Sequence, residues 1–299
     1  MPENRIITLL SDFGLSDVYV GVMKGVIAQI NPAFTVVDLT QQIPPQNIAA
    51  ARFSLMNAYP YFPAKTVHIA VVDPGVGSHR RGIALQLDSG FLVGPDNGLF
   101  SGVLNQNPVV EAVELTNPKY WRTPTPSTTF HGRDIFASAG AHLASGVPLV
   151  QLGEVIDPET LVQLTIPERT PTATAVAGCI QYVDHFGNLI TNIPAADVQG
   201  KTWSVAVGDS PTETLRDSVS EAERSPALLP TPLEKPKRRA DRIIPGSQTY
   251  SDRPLGEVVA LVGSHGWVEI AVNGGSAQSE LQMDWGTVVE VVLTTELKG

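Results

Sequence analysis

Along the first half of the chain, apolar residues fall in short runs punctuated by Gly, Pro, Asp and Asn. Runs at 6–10, 34–39, 67–72, 83–87 and 91–93 have the length of strands. Between the first two, Val18, Val22, Met23, Val26, Ile27 and Ile30 recur at helical spacing, and Asn31-Pro32 ends that pattern. A second helix is expected over 46–58, entered through Pro44-Pro45, and a third from about 135 to 143. Strands alternating with helices predict a layered α/β domain with a mostly parallel sheet, over residues 1–168.

The composition shifts at 167–174, PERTPTAT, where a linker is expected. Beyond it the pattern is that of strands, at 175–183, 189–193, 202–207, 257–262, 267–271 and 287–293. This predicts an all-β, barrel-like domain over 175–299. Within it, residues 209–247 are rich in Ser, Pro, Glu, Arg and Lys, with a basic run at 235–239, and read as a disordered or loosely held insertion.

Charge and cysteine usage narrow the function classes. With 20 basic against 30 acidic residues the net charge is -10, which argues against a general nucleic-acid binder because phosphate neutralisation needs a broad basic face. A small cationic ligand suits it better. The single cysteine, Cys179, excludes an intrachain disulfide and lies in an apolar run, as a core residue of a reducing compartment would. No apolar run approaches the roughly 20 residues of a membrane span, and the lead-in MPENR passes straight into the first strand, so a cytoplasmic protein is expected. The histidines at 68, 79, 142, 185 and 265 show no metal-ligand spacing and there is no thiolate pair, so a structural or catalytic zinc is not expected.

The candidate chemistry centres on VVDPGVGSHRR, 71–81. Asp73 falls where an apolar strand breaks into Asp-Pro-Gly, the edge at which open α/β sheets bind ligands. Gly75 and Gly77 allow close backbone approach, and Arg80 and Arg81 return positive charge towards Asp73. The same residues also make an ordinary turn. Asp12 lies in the loop between the first strand and helix, and Asp17 sits at or near that helix's N-terminus, where capping would also explain it. His131, in TTFHGRD at a helix entrance, would complete a polar constellation with Asp73 and Arg80. In the second domain, DHFGN at 184–188 and VNGGSA at 272–277 are polar loops that ordinary turns would also account for.

Taken in order, TLLSDFGLSDVYVGVMKG, IPPQNI, VVDPGVGSHRR, VGPDNG, FHGRDIFA, DHFGNLITNI and GWVEIAVNGGSA resemble the adenosine-forming S-adenosyl-methionine (SAM) hydrolases, or SAM hydroxide adenosyltransferases, relatives of the fluorinase and chlorinase. The resemblance implies hydrolysis of SAM by water to adenosine and L-methionine, with SAM as substrate and no cofactor or metal, and a homotrimer with sites between the first domain of one subunit and the second domain of the next. It makes Asp73, Arg80 and His131 the catalytic triad. It places Asp12 on the ribose hydroxyls, Asp17 and Ser264 on the methionine side, and Asp184, Phe186 and Asn188 in a methionine- and nucleoside-binding cluster. Tyr250 and Gly274 fall around the adenine. Gln46 stands where the fluorinase has tryptophan, and His265 and Val272 where it has arginines, so those contacts do not transfer. Whether Asp73 or His131 accepts the proton from water stays open. A non-catalytic SAM or nucleoside sensor is the alternative, against which the intact triad speaks. A halogenase is a second alternative, but Asp73, His131 and Gly132 replace the fluorinase's tyrosine, a second tyrosine, and the serine that contacts fluoride.

Overall fold

The computed structural model describes residues 6–208 and 242–294, and the chain divides into two compact units, Met1–Leu164 and Thr165–Gly299. In the first, β1 (Ile6–Ser11), α1 (Tyr19–Ile30), β2 (Thr35–Thr40), α2 (Ile48–Ala58) and β3 (Thr66–Val71) alternate, followed by β4 (Gly82–Leu87), β5 (Gly90–Pro95), α3 (Ser101–Leu104), β6 (Val109–Glu114), α4 (Ala137–Ala144) and β7 (Glu154–Val155). The sheet order is β2-β1-β3-β5-β4-β6-β7. It is parallel from β2 to β5, and β4, β6 and β7 add antiparallel pairs. β1 and β3 are buried along nearly their whole length, which is why they read as unbroken apolar runs. Ile7 and Leu9 of β1 and Val67, Ile69 and Val71 of β3 share one core with Met23, Val26 and Ile27 of α1 and Leu143 of α4.

Local details differ from the sequence expectation. Val18 lies before α1 and is exposed, and the cap at Val18 has no side-chain bond, so Asp17 does not cap that helix. Helix α2 starts at Ile48 with Asn47 as its cap, accepting from the Ala50 N–H at 2.9 Å. This displaces Pro44-Pro45 from the helix entrance and frees Gln46 for another conformation. The third helix opens as a π-helical turn, Gly132–Phe136, before α4.

His68 of β3 is buried beside Thr8, whose hydroxyl lies 2.8 Å from Nδ1, and against the rings of Tyr59 and Phe62. Burial holds this imidazole at about 4 against an ordinary 6.5. As pH falls the unfolded chain takes up the proton first, so stability declines from about pH 6.5 to about 4 and levels off below. The gap corresponds to an effect on the order of 3 kcal/mol. Denaturant titrations are expected to show wild type losing that much more stability across this window than His68→Gln; equal losses would exclude His68 as the cause.

The second unit contains β8 (Thr170–Pro171), β9 (Ala175–Val183), β10 (Leu189–Pro194), α5 (Ala195–Val198), β11 (Thr202–Val207), β12 (Arg242–Pro245), β13 (Val258–Val262), β14 (Trp267–Val272), α6 (Ala277–Leu281) and β15 (Val288–Thr294). These strands form an antiparallel sheet of order β12-β11-β15-β9-β10-β14-β13, with β8 pairing β9. A bridge between Gly246 and Ala260 brings its two ends together, so the sheet is a nearly closed barrel. Alternate residues, among them Val176, Ile180, Val205, Val268, Ile270 and Val291, fill its interior, and Cys179 is buried. Two expectations change. Thr170–Pro171, placed in the linker, is a short strand. Of the insertion expected over 209–247, residues 209–241 lie outside the described residues, whereas Arg242–Pro245 pairs with β11 and is ordered sheet. Among the described residues, no helix is long and apolar enough to cross a membrane.

Candidate active site

β1 and β3 are parallel neighbours with Ser11 opposite Val71. The chain therefore delivers Asp12 and Asp73 from adjacent strand ends at the carboxyl edge of the sheet. Arg80 folds back onto Asp73: its Nε donates to Oδ1 at 2.8 Å and its Nη2 to Oδ2, a bidentate pair. The same Nη2 donates to Nδ1 of His131 at 2.8 Å. The guanidinium also lies 5.3 Å from the ring centroid of Phe136. The pair is largely sheltered, with 10% of the Arg80 side chain and 5% of the Asp73 side chain exposed.

That geometry assigns protons. An arginine nitrogen can only donate, so Nδ1 of His131 is the acceptor, and a neutral imidazole then carries its proton on Nε2. Burial and then the Arg80 charge hold His131 below its ordinary 6.5, opposed by Asp73 and Asp134. The neutral form is therefore favoured.

Asp12 gives one oxygen to the Gln46 N–H at 2.8 Å. Gln46 has φ 63, a left-handed conformation that costs a non-glycine residue about 1–3 kcal/mol. Burial raises the Asp12 pKa, the Gln46 hydrogen bond opposes it, and the Asp73 charge adds a further upward push. Asp17 is exposed in the turn before α1 and takes no part in the hydrogen-bonded set.

The loop carrying His131 is held by buried Asp134, which accepts from Arg122 Nε at 2.6 Å, from Arg133 Nε and Nη2 at 2.7 Å, and from the Ser127 N–H at 2.8 Å. Burial pushes this carboxyl up, but those hydrogen bonds prevail and hold it below the usual carboxylate range. Gly77, at φ +76, packs so closely that a Cβ there would collide with the Thr128 carbonyl. Only glycine lets the 73–80 loop and the 127–131 loop meet, and the Arg80–His131 bond spans that junction.

In the second unit, Asp184 is committed to its own turn. It accepts from the Phe186 and Asn188 N–H groups and the Asn188 side-chain amide, all at 2.9 Å. The turn displays the Phe186 ring, 72% exposed. Its Gly187 carbonyl accepts from the Gln278 N–H at 2.9 Å, packing loop 184–188 beside loop 272–277, where Gly274 has φ +74 and is exposed. Tyr250 donates to Glu269 Oε1 at 2.8 Å. Burial and then this bond push its phenol to about 12, with Asp184 adding to the shift. Ser264 is not with this group: it is exposed in the 263–266 turn, at the other end of the β13–β14 hairpin from Gly274. A cleft of about 930 Å³ lined by Lys201, Trp203, Gln248 and Asp252 contains none of the candidate residues. Among the described residues, no group of three or more His, Cys, Asp and Glu side chains is placed to hold a metal.

Sequence reasoning missed Phe136, Asp134 and Glu269, and met Gln46 only as a position where a fluorinase tryptophan is replaced. The left-handed backbone of Gln46 and its bond to Asp12 had no signal beyond the two prolines before it. Glu269 stood out only as a charge in an otherwise apolar strand.

The family model for the SAM hydroxide adenosyltransferase N-terminal domain matches residues 7–153, and that for the C-terminal domain matches 178–230 and 232–290. This chain belongs to the SAM hydroxide adenosyltransferase family. Among its relatives, an (R)-S-adenosyl-L-methionine hydrolase of Salinispora tropica is 39% identical over 286 residues, covering 95% of this chain and 97% of that protein. One of Thermus thermophilus is 37% identical over 298 residues, covering 96% and 100%. Fluorinases are more distant, at 26–29% identity. The crystal structure of an uncharacterized conserved protein from Thermotoga maritima, 32% identical, has a TM-score of 0.80 and covers 95% of this chain and 99% of that one. The adenosyltransferase fold thus extends over both units.

Proposed function

We propose that this protein hydrolyses SAM at C5′ with water as nucleophile, giving adenosine and L-methionine. The observation that carries the reading is Arg80 joined at once to Asp73 and His131; relatives at 37–39% identity that are named (R)-S-adenosyl-L-methionine hydrolases support it. A sulfonium is already an activated leaving group. The C5′–S bond breaks with its electron pair passing to sulfur, the C5′–O bond forms, and water loses a proton. The protein must hold water in line and accept that proton.

Asp73 is the acceptor in this reading. Arg80 uses one lone pair on each carboxylate oxygen and leaves the others for water. His131 Nδ1 is occupied and Nε2 carries a hydrogen, so the imidazole holds Arg80 and donates, rather than accepting. Asp12 would take the ribose diol through its free oxygen, Asp17 and Ser264 the methionine end, Asp184, Phe186 and Asn188 the flanking nucleoside and methionine groups, and Tyr250 and Gly274 the adenine. Asp184 contributes by shaping its turn. We further propose a homotrimer that combines the groups of one subunit's first unit with those of another's second, and a cytoplasmic setting in keeping with the lone buried Cys179. An active monomer by sedimentation would overturn the assembly.

Because His131 is held below 6.5, activity is expected to stay level as pH falls from about 8 through 6.5. It should fall only below that, when protonated Nδ1 can no longer accept from Arg80. A fall centred at or above 6.5 would contradict the neutral-imidazole role. Incubation with SAM and chromatography for adenosine and methionine tests the function itself; tight binding without products would leave the sensor reading.

A further inference from the structure

Glu269 is the one carboxylate of β14 and is 3% exposed. A buried carboxylate is costly unless hydrogen-bonded, and both of its oxygens are used. Oε1 accepts the Tyr250 hydroxyl at 2.8 Å, and Oε2 lies 2.9 Å from Nε2 of His265. The Trp267 N–H donates to Nδ1 of His265 at 3.2 Å. That fixes the tautomer: the proton is on Nε2 and is donated to Glu269. Both imidazole nitrogens are thereby spent within the protein, which gives a physical reason why His265 does not replace the arginine of the fluorinase as a ligand donor.

The consequence is geometric. Tyr250 opens a single-turn helix, Tyr250–Asp252. His265 follows Ser264 in the 263–266 turn, which closes on itself through Gly266 N–H to the Gly263 carbonyl at 2.9 Å. Glu269 sits midway along β14, opposite Leu261 and Ile190, on a strand paired on both sides by β10 and β13. One side chain therefore ties the turn bearing Ser264 to the ring of Tyr250. The fit is close, since a Cβ at Gly263 would lie 2.5 Å from Glu269 Oε2.

Resting on the SAM reading above, we propose that Glu269 is a positioning residue for substrate binding, clamping the Tyr250 ring of the adenine side and the Ser264 turn of the methionine side in one fixed spacing. It touches neither water nor C5′. Its loss should therefore weaken binding of both ends while the chemistry survives.

The test uses the full-length protein with SAM turnover and equilibrium binding of adenosine and of methionine. Glu269→Leu is expected to raise KM at least about tenfold with kcat within about threefold, because removing ground-state positioning leaves the transition-state step alone. Glu269→Gln keeps one acceptor oxygen and should fall between the two. Tyr250→Phe should weaken adenosine but not methionine, and adding it to Glu269→Leu should cost less than the product of the single effects, as for residues in one network. Multiplicative effects, an unchanged KM, or kcat falling with KM unchanged would overturn the proposal. If Glu269→Leu fails to fold, Glu269→Gln and Tyr250→Phe carry the same cycle. Wild type that neither turns over SAM nor binds adenosine would refute the parent reading instead, so the two failures are distinct.

Discussion

Asp73→Asn is expected to lower SAM turnover by at least about 100-fold, or about 2.7 kcal/mol of transition-state stabilisation, while SAM still binds. Asparagine is nearly isosteric, but its amide NH₂ meets Arg80, which offers only donors, and it presents no basic oxygen to water. His131→Ala should cut turnover by a similar factor for a different reason: the Nη2 hydrogen that points at Nδ1 loses its acceptor and Arg80 is free to turn away from Asp73. The two variants differ in pH dependence. With Asp73 gone, the remaining rate should climb with hydroxide concentration, whereas His131→Ala, which keeps the base, should stay level. Calorimetry of SAM binding beside single-turnover rates checks both; parallel loss of affinity and rate would make these structural residues.

The second large effect concerns what the site will not accept. Adenosine should remain the product in molar chloride or high fluoride, with solvent oxygen at C5′. A carboxylate about 4 Å from an anion costs on the order of 4 kcal/mol at an effective dielectric near 20, roughly a thousandfold. Arg80 offsets part of this, but its Nε–H and both Nη2–H groups are already given to Asp73 and His131. The serine that contacts fluoride in the fluorinase would also be crowded here, its neighbours having to give by a few tenths of an ångström. A Cβ at Gly132 would lie 3.2 Å from the Phe130 ring and 3.3 Å from Met23 Sδ, and is flanked by Phe13 at 3.4 Å. Mass spectrometry in ¹⁸O-labelled water decides: 5′-halo-5′-deoxyadenosine as main product, or unlabelled adenosine, would refute the assignment.

These expectations draw on two kinds of information. Buried parallel strands announce themselves as apolar runs and their ends as Asp-Pro-Gly or Asp-Phe-Gly breaks, so Asp12, Asp73 and the strand pattern of both units were legible in the chain. Each of those signals is local, set by side-chain hydrophobicity and backbone preference over a few residues. Asp17 shows the limit even there: a carboxylate before a helix reads as a cap, yet the helix begins two residues later without one. The short strand Arg242–Pro245 was missed because a polar, proline-rich neighbourhood hides four residues whose sheet partner is β11.

What only the tertiary structure decided is which distant groups meet and which proton each one holds. The Arg80–His131 bond joins residues 51 apart through the packing of the 73–80 loop on the 127–131 loop, and Asp12 to Gln46 spans 34 because β1 pairs with β2; composition encodes neither. The tautomers of His131 and His265 follow from a guanidinium and a backbone N–H that can only donate. Glu269 reads in sequence as one charge in a strand. Folding places it between a tyrosine 19 residues before it and a histidine 4 residues before it, because strand pairing converts separation along the chain into contact across it.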